Sequence, residues 1–197
     1  MKTKTKVIII LTIVLLIVIG VLIIVLRSGV MQNKFDEVQG DLVGHAFNIE
    51  AYDSYGEETL SVSGKSVSIS GNRQGEDLTS VITITIDGKE IQSCGDTLIF
   101  AEKGLVKELD FTSQIEDQGR AIPSLSYKIN QYANKFGKSR IVIIKSQEGQ
   151  PLMAYSGDKV YWEIVNDLPK TTKLMIDGKA LYIHRANFQI IDKKLIS

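Results

Sequence analysis

The stretch Val81-Ile82-Thr83-Ile84-Thr85-Ile86-Asp87-Gly88 decides the fold class of this chain. Its valine, isoleucine and threonine residues are β-branched and favour strands. The Asp-Gly pair that follows tolerates the positive φ angles of a two-residue hairpin turn. The stretch therefore predicts one strand of a β-hairpin whose return strand begins at residue 89.

Short apolar runs separated by turn residues continue on both sides of this hairpin, and they give roughly ten strand signals between residues 42 and 197. Residues 141–144 are four consecutive aliphatics, which predicts a central strand buried on both faces. The runs at 152–155 and 160–164 flank Ser-Gly-Asp-Lys, which predicts another hairpin.

The tetrapeptide Ile-Asp-Gly-Lys occurs at residues 86–89 and again at 176–179. Either the chain contains an internal duplication, or two unrelated hairpins use the same turn. The general preference of hairpins for Asp-Gly favours the second interpretation.

One helix is predicted in the exposed part of the chain, at residues 122–136. Apolar residues recur there at steps of three and four, Pro123 suits the first turn, and Gly137 suits the end. We expect its apolar stripe to lie on a sheet. The fold class is therefore mainly β, or α+β, with a sandwich- or barrel-like domain and one packed α-helix.

Residues 7–26 form a 20-residue run without charge, in which 18 residues are valine, isoleucine or leucine. At about 1.5 Å per residue the run covers about 30 Å, the thickness of a bilayer's hydrocarbon core. A cleaved signal peptide is the alternative, but its apolar part is shorter and ends in a small-x-small site that is missing here. We therefore expect an uncleaved N-terminal transmembrane helix.

The flanking charges set the expected topology. Three lysines precede the run and few cations follow it, which places the N-terminus in the cytoplasm. Residues 1–6 are then a cytoplasmic tail, 27–41 a polar stalk, and 42–197 an extracytoplasmic domain of a single-pass cell-membrane protein. That domain is either continuous or divided into two lobes, 42–111 and 122–197.

The net charge of the whole chain is zero, but Lys2, Lys4, Lys6 and Arg27 all flank the apolar run. The remainder has 19 cations and 23 acids, so it carries about −4. This balance argues against nucleic acid as a partner. The one cysteine forms no internal disulfide, which suits the surface of a Gram-positive bacterium.

Cys94, the single cysteine, is a candidate catalytic nucleophile, and His45 is the candidate base that would activate it. The order His45, Cys94 and a later arginine is similar to that of sortases, which are β-rich, membrane-anchored surface enzymes. The residues before Cys94 do not match the Thr-Leu-x-Thr-Cys strand of that family. The alternative interpretation of Cys94 is a small residue packed at a strand end.

Tyr182, His184 and Arg185 lie at the end of an apolar run, and as an exposed group they could together hold an anionic ligand. Alternatively, they are the polar side of an edge strand. No cluster has the spacing of a metal site, and no glycine loop has the pattern that binds phosphate. We expect neither a metal nor a cofactor.

The phrases at residues 84–97, 101–105, 157–163 and 181–192 are specific. Together they resemble an uncharacterised family of Gram-positive, membrane-anchored extracytoplasmic proteins, domain of unknown function 5052, over about residues 35–195. The resemblance implies a location and a domain boundary. It implies no activity and no functional residues.

We therefore expect a membrane-anchored extracytoplasmic binding or scaffold module of the bacterial cell envelope. Its partners would be the lipid bilayer, through residues 7–26, and another envelope or membrane protein. The alternative is a cysteine-dependent envelope enzyme with sortase-like chemistry at Cys94.

Overall fold

A computed structural model of the protein describes residues 45–74, 77–112, 137–165 and 168–196, which all lie within the unit Val38–Ser197. These residues form thirteen β-strands and end in a 3-10 helix, Lys193–Leu195. The strands are β1 (Phe47–Tyr52), β2 (Glu58–Gly64), β3 (Val67–Gln74), β4 (Asp77–Ile86), β5 (Lys89–Cys94), β6 (Thr97–Glu102), β7 (Lys107–Asp110), β8 (Arg140–Lys145), β9 (Pro151–Gly157), β10 (Val160–Ile164), β11 (Thr171–Ile176), β12 (Lys179–His184) and β13 (Asn187–Asp192).

The β-rich part of the fold-class prediction agrees with the structure, but its two helices are corrected. Neither a transmembrane helix nor a packed α-helix occurs among the described residues. Within those ranges, no helix is long and apolar enough to cross a membrane, and the predicted single-pass localisation is corrected on this finding. The two predicted helices, at 7–26 and 122–136, lie outside the described residues. An apolar run or an apolar period indicates that a segment is buried, but it does not show what buries it. In the described part of the chain, apolar side chains are buried between packed sheets.

The strands form three antiparallel sheets. The central sheet has six strands in the order β10-β11-β12-β6-β1-β2. A four-stranded sheet has the order β13-β8-β9-β7, and a three-stranded sheet has the order β3-β4-β5. The predicted hairpin at Asp87-Gly88 is confirmed as the β4–β5 turn. The hairpin predicted between residues 152 and 164 is wrong, because β9 and β10 belong to different sheets.

The six strands of residues 47–102, the first repeat, correspond one by one to the six strands of residues 140–192, the second repeat. In each repeat the first strand pairs with the second and the sixth, and the fourth strand pairs with the third and the fifth. Even the registers agree, since Phe47 lies opposite Gly64 in the first repeat and Arg140 lies opposite Gly157 in the second.

The corner between the second and third strands is also the same in both repeats. The Asp87 carboxylate accepts backbone N–H bonds from residues 65 and 66, and the Asp177 carboxylate accepts them from residues 158 and 159. A Cβ atom at Gly64 would collide with Ile86 Cγ2, and one at Gly157 would lie 2.7 Å from Ile176 Cγ2. Glycine is thus required at the same corner twice. The chain therefore contains an internal duplication. The interpretation of Ile-Asp-Gly-Lys as a turn shared by two unrelated hairpins is wrong.

Each repeat is a sandwich with its own core. The first core lies between the three-stranded sheet and the central sheet and includes Phe47, Ile84 and Phe100. The second lies between the four-stranded sheet and the central sheet and includes Val142, Leu174 and Ile183. Because alternate residues of a strand face opposite sides, the central sheet is buried on both faces.

The repeats join where β12 of the second pairs with β6 of the first. Tyr182 lies opposite Phe100 in the first core, and Ile183 lies opposite Ile99 in the second. Each junction strand thus supplies side chains to the core of the other repeat.

Candidate functional site

A groove of about 370 Å³ opens at the end of the central sheet, beside the corner between β12 and β13. It is lined by the start of β11, by that corner and by the turn between β8 and β9. The lining residues are Gln147, Lys170, Thr171, Thr172, Arg185, Ala186 and Asn187. Two are cations, none is an acid, and most of the others carry hydroxyl or amide groups that can bind a polar ligand.

Both cations lie on backbone in the left-handed region. The φ angle is 58° at Lys170 and 52° at Arg185, and the Arg185 N–H donates a 2.9 Å hydrogen bond to the Lys170 carbonyl. The only other non-glycine residues with positive φ among the described ones are the two aspartates of the Asp-Gly turns. A non-glycine residue in this conformation costs roughly 1–2 kcal/mol. The two cations of the groove therefore lie on strained backbone, held together by a direct hydrogen bond.

The Arg185 corner is fixed by a hydrogen bond from the first repeat. The Thr97 hydroxyl donates to the Arg185 carbonyl over 2.8 Å. Across the groove, the Asn187 amide donates to the Ser146 carbonyl, and the Gln147 amide donates to the Gly95 carbonyl. The groove is therefore preformed: its walls belong to the second repeat, and bonds with Thr97 and Gly95 tie them to the first.

The guanidinium of Arg185 carries an unsatisfied donor. Its Nε atom is buried and has no hydrogen-bond partner in the described part of the chain. Within that part, neither Arg185 nor Lys170 forms an ion pair with a carboxylate. A buried N–H without an acceptor costs roughly 1–3 kcal/mol. Such a group is a ready donor for an anion that enters the groove.

His184 lies directly behind these cations. Its side chain is buried, with Nδ1 2.8 Å from the Thr171 hydroxyl. Burial lowers the pKa of His184 to about 4, and the charges of Arg185 and Lys170 act in the same direction. The imidazole is therefore neutral at pH 7, and its environment is electropositive.

The first repeat shows which groups of the groove the fold itself requires. By strand register, the counterparts of Arg185 and Lys170 are Gly95 and Ser80. Gly95 also has positive φ, at 103°, and is the residue that this conformation favours. The fold therefore forms the corner without a cation, and the positive charge is specific to the second repeat.

The three residues proposed from sequence as an anion-binding group lie in different environments. Tyr182 is buried in the first core, edge-on to Phe47 with ring centroids 6.0 Å apart. His184 is buried behind the groove, and only Arg185 lines it. Lys170 was not singled out from sequence, because it lies 15 residues before Arg185 and has no motif around it.

The structure places the two cysteine-chemistry candidates at opposite ends of a strand. His45 Nδ1 lies 3.3 Å from Glu102, where β6 ends, whereas Cys94 precedes the start of β6. The six residues of β6, which lies between these two positions, span about 17 Å. Cys94 is exposed, so it is not packed at a strand end. No described residue forms a hydrogen bond with its thiol.

A second cluster of titratable groups lies around Lys107. Its ammonium contacts Glu50 at 2.7 Å and Asp110 at 3.0 Å, and the Tyr52 hydroxyl also donates to Glu50. Burial lowers the pKa of Lys107, but its bonds to the two carboxylates more than offset this and raise it overall. Both carboxylates of this cluster contact the one ammonium group, which fits a structural role.

No group of three or more histidine, cysteine, aspartate or glutamate side chains in the described ranges is placed to hold a metal ion. No curated protein and no solved structure matches the chain. The model of one family does match it, over residues 6–196, and that family is described as "Domain of unknown function (DUF5052)". The resemblance to that family is thereby confirmed, without its Gram-positive and membrane-anchored detail, and the chain belongs to the DUF5052 family.

Proposed function

We propose that this chain is a binding module whose groove holds a small ligand through a phosphate, sulfate or carboxylate group. The observation that carries the proposal is the Arg185 guanidinium, whose buried Nε–H has no acceptor among the described residues and lies beside Lys170, a second cation without an ion pair in those ranges. Arginine offers its N–H groups in a planar fork that matches such oxyanions.

The backbone supports the same proposal. Strained conformations occur at ligand sites when the surrounding structure enforces them, and here both cations of the groove are strained. The first repeat makes the equivalent corner with Gly95, so the arginine is not needed for folding. Strain and an unpaired donor at one residue are costs that a bound anion would offset.

The hydroxyl and amide groups fit the same ligand class. Thr171 and Thr172 line the groove beside the cations and can donate to further oxygens of the anion. A volume of about 370 Å³ accommodates more than the anionic group alone. The rest of the ligand would therefore lie along Gln147 and Asn187.

The test is an NMR titration of the full chain at pH 7 with inorganic phosphate, sulfate and acetate as separate probes. We expect saturable shifts of the Arg185 Nε–H and His184 ring signals, and the strongest probe identifies the type of anion. Arg185→Gly should abolish the shifts at His184. Lys65→Ala, which removes an exposed cation elsewhere, should leave them unchanged. The proposal fails if no probe saturates, or if Arg185→Gly responds like the unaltered chain.

A cysteine-dependent enzyme is the alternative function. The titration also separates the two, because anion binding at Arg185 does not require the thiol. Cys94→Ser should therefore bind phosphate like the unaltered chain, whereas an enzyme that used Cys94 in this groove would lose or change its ligand contacts.

A further inference from the structure

β10 is an edge strand of the central sheet, and no strand of the described part of the chain pairs with its outer side. The Lys159 carbonyl, just before the strand, accepts from Asp177 N–H on the β11 side. The next carbonyl, that of Val160, accepts from the Arg140 side chain instead. Since successive residues of a strand point their backbone groups to opposite sides, Trp162 and Ile164 direct N–H and C=O away from β11.

The same strand exposes large apolar side chains. Tyr161 is 42%, Trp162 61% and Ile164 76% exposed. Its counterpart in the first repeat, β3, has Ser68, Ile69 and Gly71 at these positions, and Ile69 is buried. The apolar edge is therefore specific to the second repeat.

Other edges in the described part of the chain are protected in the usual ways. Apart from Cys94 at its end, the exposed residues of β5 are polar or charged, and β2 carries exposed polar residues. Proteins normally protect edges like this, because a bare apolar edge pairs with another strand. β10 has no proline, and its pairing with β11 shows no bulge. Among the described strands, none covers this edge, so it is available for pairing.

We infer that β10 pairs with β10 of a second copy of this chain, antiparallel and about a twofold axis at Trp162. In this register Trp162 exchanges both backbone hydrogen bonds with Trp162 of the other copy, and Ile164 pairs with Val160. The two six-stranded central sheets then become one continuous sheet.

The charge pattern of β10 is self-complementary in this arrangement. Lys159 precedes the strand and Glu163 lies near its end. The twofold axis places Tyr161 opposite Glu163 of the other copy and Lys159 diagonally beside that carboxylate. The Lys159 ammonium already leans along the strand, 5.9 Å from the centre of the Tyr161 ring. The Glu163 carboxylate already lies 3.0 Å from Lys173 of β11 in the same chain, so Lys159 of the other copy would approach it as a second cation. Two symmetric attractive pairs follow, and no like charges face each other within the strand pair.

Trp162 is the only tryptophan of the chain, so its fluorescence reports directly on this edge. A single strand pair is a small interface and therefore weak, so measurements should run from about 10 μM to 1 mM. We expect the emission to move to shorter wavelength as concentration rises, while the mass from sedimentation moves from 21.8 kDa toward twice that value. Ile164→Pro should abolish both changes, since it removes an outward N–H and no bond to β11.

Disulfide trapping tests the register. In a Cys94→Ser background, Trp162→Cys should form a cross-linked dimer on mild oxidation, because residue 162 lies opposite itself. Tyr161→Cys should not, because it lies opposite residue 163. An unshifted emission up to 1 mM overturns the inference, and so does a dimer that persists in Ile164→Pro or cross-links equally through both cysteines.

Discussion

Acidification should destabilise this fold through one side chain, His184. The ring is 3% exposed, and burial together with the nearby cations lowers its pKa to about 4. An unfolded chain has a histidine pKa near 6.5. At a pH between these two values, His184 is protonated in the unfolded state and neutral in the folded state. The free energy of unfolding therefore falls as the pH drops through this window.

The magnitude follows from the same two values. At about 1.36 kcal/mol per pH unit, the full window is worth about 3 kcal/mol. Most carboxylates titrate below pH 5, so the clean part of the effect lies between pH 7 and pH 5 and amounts to about 2 kcal/mol.

Urea denaturation at pH 7, 6 and 5 measures this loss directly. His184→Asn keeps a polar partner for Thr171 and should remove most of the pH dependence, whereas His45→Asn should not. Phosphate in the groove would neutralise nearby positive charge, raise the pKa of His184 and reduce the loss. If His184→Asn shows the same dependence as the unaltered chain, the account of a buried neutral imidazole is wrong.

Three other substitutions or reactions give further checks. Arg185→Gly should raise the free energy of unfolding by about 1 kcal/mol in thermal or urea denaturation, because it relieves left-handed strain; a clear loss of stability would contradict this. Gly64→Ala and Gly157→Ala should each lower the free energy of unfolding by about 1–3 kcal/mol through collision with a core isoleucine, and a tolerated alanine at either glycine would argue against equivalent corners. Cys94 should react fully with a thiol reagent in the folded protein, at a rate that His45→Asn leaves unchanged; slowing by that substitution would instead support the cysteine enzyme.

Local strand and turn chemistry predicted much of the sheet structure. The Asp87-Gly88 turn is where the sequence places it, and 141–144 lies in a strand buried on both faces, as four consecutive aliphatics indicate. These features depend on residues adjacent in the chain. The hairpin expected around Gly157 failed because the same turn residues also serve a corner between two packed sheets. Only tertiary contacts, such as the approach of Gly157 to Ile176, distinguish the two.

The duplication was visible in the sequence only as one shared tetrapeptide. The spacing between equivalent residues is 93 in the first three strands and 90 in the last three, because the loop before the fourth strand differs in length between the repeats. Elsewhere the repeats share packing and register more than residues. The two repeats keep the same fold because equivalent positions are buried in both, and many different apolar residues can fill such positions.

Of the two cations that line the candidate groove, only one was singled out from the sequence. Arg185 was singled out because it follows a strand with other polar residues, but Tyr182 and His184 were expected to be exposed. Both are buried because the central sheet is covered on each face, which an isolated strand pattern cannot reveal. Lys170 is placed beside Arg185 by a backbone hydrogen bond between the two residues, and no sequence pattern predicts that bond.

The junction between β6 and β12 has a consequence for how many units this architecture can hold. Its two sides are different strands, so the same join could in principle be repeated without limit, as in a fibre. β5, an edge strand among the described strands, would be the next to join. It carries Glu90 and Gln92, both exposed, where β12 inserts Ala180 and Tyr182 into the core. Because the outer strand of the first repeat is polar and exposed, a third repeat could not pack its core residues there.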